Sequence, residues 1–125
     1  MKYIIIHPGS SVPLQMDILK NRGFSYIFNR DGSVTKLDKP DFDSAYSLDT
    51  LSGPSMHVIY DGDGYADDRT YKQYDAMEIF MKYHVLIYPK VKIAGIYQVE
   101  ETNEPGFEVP AWLKEISLIK NSYDG

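Results

Sequence analysis

The segment KYIIIH at residues 2–7 sets the strongest limit on the fold, because it runs through consecutive apolar residues and stops abruptly at Pro8-Gly9. Such a run has no polar face to turn towards water. It fits a strand buried in the middle of a sheet with cover on both sides. The rest of the chain therefore has to supply helices for both faces.

It does so in alternation. Residues 13–22 predict a short helix, with Pro13 near its first turn and Gly23 stopping it. The segment FSYIFNRDGSVTKL holds two β-rich runs around Arg30-Asp31-Gly32, a hairpin signal because Asp and Gly tolerate positive φ. Residues 37–54, rich in Pro, Asp, Ser and Gly, read as a long surface loop, and residues 55–60 (SMHVIY) as another strand. From Asp68 to Tyr88 the period becomes helical. Tyr74, Met77, Met81, His84 or Val85, and Tyr88 form one apolar face, and Asp67, Asp68 and Thr70 crowd the start. Residues 90–96 predict a strand, and Val109 to Lys120 a closing helix entered through Pro110. The expected fold is α/β (α+β): one domain over residues 1–125, with a central mixed sheet flanked by helices.

Composition narrows the function. A chain of 125 residues with 43% hydrophobic and 25% charged residues suits one core. The net charge of −5, with no cluster of Lys or Arg, argues against nucleic acid and anionic membranes as partners. There is no cysteine, hence no disulfide and no thiolate ligand. The N-terminal apolar run is too short for a signal-peptide core or a membrane span, so the expected location is cytoplasmic as encoded, with release by lysis or another route left open. The 11 tyrosines exceed what a core alone requires, and either line a contact surface or have no special use.

Motif chemistry is sparse. Asp61, Asp63 and Gly64 open like a calcium loop, but Tyr65 and Lys72 stand where oxygen ligands belong, so a turn and helix cap is the better reading. Of the three histidines, His84 lies near the apolar helix face and His57 lies within a strand. His7 closes the first buried strand, where α/β sheets place functional groups. Ser10 and Ser11 lack a nucleophile elbow, and no phosphate-binding glycine loop is present.

Taken in order, several segments resemble the type 2 N-acetylmuramoyl-L-alanine amidases, the family that includes peptidoglycan recognition proteins. They are IIIHPGSS, RGFSYIFNRDGSV, SMHVIYDGDG, DDRTYKQYDAM and IAGIYQVEETNEPGFEVPAWL, and together they span nearly the whole chain. The resemblance implies an amidase-type fold and a zinc-dependent ancestor. It places His7 at the first zinc ligand, Ile96 at the second and Glu104 at the third, so His7 and Glu104 remain as an incomplete metal set. Thr102 falls on the region of a catalytic Lys or Thr, and Phe24 on the catalytic Tyr. Tyr26, two residues on, is expected on the same strand face. Two ligands hold zinc poorly, and without zinc no water is acidified.

The expectation is thus a catalytically inactive amidase-like domain that binds peptidoglycan fragments (muropeptides) or a related ligand. It has no cofactor, zinc entering only if the site has been rebuilt. Tyr26, Tyr46 and Tyr97 are the candidate substrate-binding residues. A protein-interaction domain or homo-oligomer is the alternative. Third comes an active amidase with a rebuilt site that recruits His57 or Glu104 beside His7.

Overall fold

The computed structural model describes residues 3–37, 51, 53–102 and 106–124. Its five strands are β1 (Tyr3–Pro8), β2 (Phe24–Phe28), β3 (Val34–Lys36), β4 (Ser55–Tyr60) and β5 (Lys92–Gly95). They form one sheet in the order β3-β2-β4-β1-β5. β1 pairs parallel with β4 and β5, β4 pairs parallel with β2, and only β3 runs antiparallel. The sheet is mixed, as expected, and β1 is an interior strand, between β4 and β5, buried along its length.

Alternation along β1 sends Ile4 and Ile6 to one face and Tyr3, Ile5 and His7 to the other. The first face carries the main core: Phe28, Met56, Val58 and Tyr60 from the strands, under Met77 and Met81 of α2 (Tyr71–Ile87) and Trp112 and Leu113 of α4 (Val109–Glu115). The opposite face packs Leu19 of α1 (Met16–Arg22) onto Phe24, Ile27 and Ile59, with Val12 and Leu37 beside them. Next to that cluster, Ile5 and Ala94 meet Ile96 and Val99 of α3 (Ile96–Val99).

Local chemistry explains the boundaries. Gly23 ends α1 in the left-handed region (φ 89°), its N–H reaching the Leu19 and Lys20 carbonyls. Gly32 takes the positive φ of the β2–β3 turn (88°), and Asn29 and Ser33 close it. Thr70 caps α2 in a reciprocal box with Gln73. The Gln73 amide then reaches inward to the Phe28 and Asp61 carbonyls, which explains a glutamine with no exposure at all in a core position.

Four expectations are corrected at the edges. Pro13 lies before α1, which starts at Met16. The expected helix from Asp68 begins at Tyr71, because Asp67 and Asp68 bind Arg69 and Arg30 rather than helix amides. The strand expected over 90–96 ends at Gly95, and Ile96 opens α3. The closing helix stops at Glu115: Ser117 turns left-handed (φ 65°) while the Leu118 N–H returns to the Leu113 carbonyl, and a 3-10 turn follows at Ile119–Asn121. Buried Asn121 ties that turn to the Pro89 and Val91 carbonyls.

Candidate functional site

The C-terminal end of β1 carries His7, 2% exposed, onto the α1/α3 face of the sheet. Its parallel register against β4 sets Ile5 beside His57, so the two histidines share that face one step apart. His7 Nε2 lies 2.8 Å from His57 Nδ1, and His57 Nε2 lies 2.9 Å from Ser55 Oγ. A line of hydrogen bonds thus runs Ser55–His57–His7 through the buried sheet. Burial, and secondarily the nearby His57, hold the His7 pKa well below its usual value; burial pushes that of His57 down to about 3. Both rings are therefore neutral at pH 7, and one nitrogen of the facing pair donates while the other accepts.

Phe24 packs edge-on against both rings, with centroids 4.7 Å from His7 and 6.2 Å from His57. The position that the resemblance assigns to a catalytic tyrosine is thus beside His7, filled by a ring with no hydroxyl. Tyr26 is elsewhere. A β-bulge between Phe24 and Tyr26 makes Phe24 pair with His57 but Tyr26 with Val58. The extra residue reverses the alternation, so Tyr26 emerges on the α2 face, against Phe80 (4.9 Å) and His84 (6.4 Å). The expectation that Tyr26 shares a face with Phe24 is corrected by that single inserted residue, Ser25.

A cleft of about 150 Å³ opens beside His7, lined by Val12, Arg22, Ile96, Glu100, Glu101 and Thr102. It brings together three positions that the resemblance matched: His7, Ile96 and Thr102. Glu104 and Tyr46 lie outside the described residues. Tyr97 is half-buried on α3, and its hydroxyl oxygen accepts the Val109 N–H at 3.0 Å, which joins α3 to the start of α4. His84 is buried on α2 and its Nδ1 bonds the Phe80 carbonyl oxygen at 2.8 Å.

Among the described residues, the spacing of His7 and His57 is not that of two zinc ligands. Two imidazole nitrogens on one tetrahedral zinc, each at ~2.0–2.1 Å, stand roughly 3.3 Å apart. The 2.8 Å between His7 and His57 is instead an N–H···N separation, which keeps a proton on one of the two nitrogens that zinc would need. Ile96 offers no lone pair, and no three His, Cys, Asp or Glu side chains converge among the described residues. His57 is the residue that sequence reasoning placed only in its third alternative. Its partnership with His7 follows from register, which no spacing along the chain reveals.

The chain matches no family model and no curated protein in sequence. Its backbone is another matter. It superposes on the endolysin N-acetylmuramoyl-L-alanine amidase LysCS from Clostridium intestinale with a TM-score of 0.73 and 15% identity, over 93% of this chain and 83% of that one. Wild-type Drosophila PGRP-LB gives 0.68 and 18%, over 98% of this chain and 85% of that one. A PGRP-LB variant solved in complex with tracheal cytotoxin gives 0.67 and 20%, over 98% of this chain and 83% of that one. The fold is that of the amidases and peptidoglycan recognition proteins. Among the described residues no helix is long and apolar enough to cross a membrane.

Proposed function

We propose that this domain binds a peptidoglycan fragment, a muropeptide or a chemically related ligand, in the cleft beside His7 without hydrolysing it. The observation that carries the proposal is the pairing of His7 with His57 at 2.8 Å beside that cleft, whose lining includes Ile96, the position that the resemblance assigns to the second zinc ligand. The cleft has the groups that recognition needs: the Arg22 guanidinium for a carboxylate, and Glu100, Glu101 and Thr102 for amide and hydroxyl hydrogens. Among the described residues it has no three-donor metal centre to polarise an amide carbonyl. Neutral His7 holds a ligand or a proton in place, and Phe24 has no hydroxyl to stabilise a tetrahedral intermediate. In this reading the protein needs no zinc. The likeness of fold to a protein solved with tracheal cytotoxin supports the ligand class.

Titration of isotope-labelled protein with muramyl dipeptide and with a muramyl tetrapeptide tests it. Saturable shifts at His7, Arg22 and Thr102 with no release of free peptide support the reading. Release of free peptide, or the lack of shifts with both fragments, overturns it.

One further observation favours an oligomerisation role on the same fold. Ile79, Tyr83, Leu86 and Ile87 lie at helical spacing on α2, and all four are exposed. A second copy packed about a two-fold axis would cover each stripe with its twin. Light scattering on size-separated protein decides this: a dimer that Leu86→Glu makes monomeric supports it, and a monomer at all concentrations removes it.

A further inference from the structure

On the sheet face opposite His7, a second cavity of about 330 Å³ is lined by Asp67, Arg69, Phe107, Glu108, Trp112 and Glu115, with Gly106 and Ala111 between them. Arg69 is its unusual member. Its side chain is 2% exposed, and its guanidinium carbon lies 3.4 Å from the Phe107 ring centroid, 4.9 Å from that of Tyr74 and 5.0 Å from that of Trp112. Nε and Nη2 bond the two Asp67 carboxylate oxygens, each at 2.9 Å. Nη1 has no hydrogen-bond partner among the described residues, and neither has the Trp112 indole Nε1. Two buried donors without acceptors, both on residues lining one cavity, are an uncommon and costly arrangement.

The surrounding charges say what would satisfy them. Asp67 already neutralises Arg69, and Glu108 and Glu115 add two further negative charges at the exposed rim. Simple anions are therefore repelled. A neutral carbonyl oxygen suits the inner donors, and a positive charge suits the rim.

We infer that this cavity is a second ligand site, taking an amine-bearing peptide whose backbone carbonyl accepts from Arg69 and Trp112 while its ammonium pairs with Glu108 and Glu115. The inference is independent of the His7 cleft, and neither reading depends on the other. The ammonium can come from a lysine side chain or from a peptide N-terminus. Both give the same chemistry at the rim, and they differ in the separation between amine and carbonyl.

Trp112 is the one tryptophan in the chain, so its emission and its indole N–H resonance report on this cavity alone. The probes are Nα-acetyl-lysine methylamide, alanine methylamide, Nα-acetyl-norleucine methylamide and acetate. The expected result is a saturable shift with one of the two amines, which identifies the source. The uncharged norleucine analogue should bind at least about tenfold more weakly, and acetate should give no response. Glu108 is exposed and makes no side-chain cap to α4, so Glu108→Gln should leave the fold intact and weaken amine binding several-fold. Trp112→Phe, followed by calorimetry, keeps a ring in place and removes only the indole donor, and it should also weaken binding. Acetate or norleucine analogue binding as tightly as the amines overturns the inference, as does silence from every probe with a folded protein.

Discussion

On one face of the sheet His7 and His57 meet at 2.8 Å, and each neutral ring supplies what the other lacks. On the other face Arg69 lies charged among Phe107, Tyr74 and Trp112, held by Asp67, with no hydrogen-bond partner for Nη1 among the described residues. Burial acts on both sites, with different results. An imidazole gives up its proton when desolvated, so the histidine pair becomes a neutral tie between β1 and β4. A guanidinium keeps its charge in any protein environment, so Arg69 has to be surrounded by π-faces and a carboxylate instead. The Arg69 carboxylate bonds in turn hold the Asp67 pKa below its ordinary value. The histidine pair is joined through its own ring nitrogens, whereas the cluster around Arg69 retains donors without acceptors among the described residues.

The largest effect that separates the two faces is expected at Trp112. Trp112→Ala removes the ring that packs on Phe107 and Tyr74 and should destabilise the fold by about 3–5 kcal/mol in urea unfolding. A loss below ~1 kcal/mol would show that the aromatic cluster does not hold the main core together.

Next comes the histidine tie. His57→Ala leaves the facing His7 nitrogen and the Ser55 hydroxyl without that ring and should cost about 2–3 kcal/mol. Replacing both rings, as His7→Leu with His57→Leu, should be less damaging than the sum of the single losses, because neither ring nitrogen then faces a missing ring and only the Ser55 hydroxyl loses its partner. Simple additivity in the double-mutant cycle would mean that the two rings do not act as a unit.

Acid should expose the same contrast. Both histidines bind protons more weakly folded than unfolded, so the unfolded chain takes up more protons once the pH drops below the unperturbed value of 6.5. Their contribution is complete above pH 6.5 and is lost progressively as pH falls towards about 3. Urea midpoints measured from pH 7 to pH 4 should therefore decline, and decline less steeply in the double leucine variant. Equal slopes would remove the histidines as the cause.

The smallest effect is expected at the surface. Arg30, 43% exposed, pairs with Asp68 at 2.8 Å, and Arg30→Ala should cost no more than about 1 kcal/mol by urea unfolding. A larger loss would mean that the loop before α2 depends on this pair, and through it Arg69.

Much of the architecture was legible in the chain. The apolar run before Pro8 does mark a buried interior strand, Asp31-Gly32 does mark the hairpin, and the Met77–Met81 spacing does mark the buried face of α2. These signals are local, because each depends on residues within one or two turns of one another. Helix ends were less well read, since Asp67 and Asp68 are drawn to arginines rather than to helix amides. At the site, the structure brings the rings of His7 and Phe24 together, a contact that the order of the motifs did not state.

What the sequence determined by itself was the order of the main strands and helices and the chemistry available at each position: an imidazole at 7, an aliphatic side chain at 96, a ring without a hydroxyl at 24. Tertiary structure alone decided which of these meet. The β1–β4 register joined His57 to His7 across fifty residues, the Ser25 bulge turned Tyr26 to the far face, and the docking of α4 brought Trp112 to Arg69. The reason is physical. Periodicity fixes the face of a residue within its own element, while register, bulges and the docking of helices are set by packing between distant segments, which no local pattern encodes.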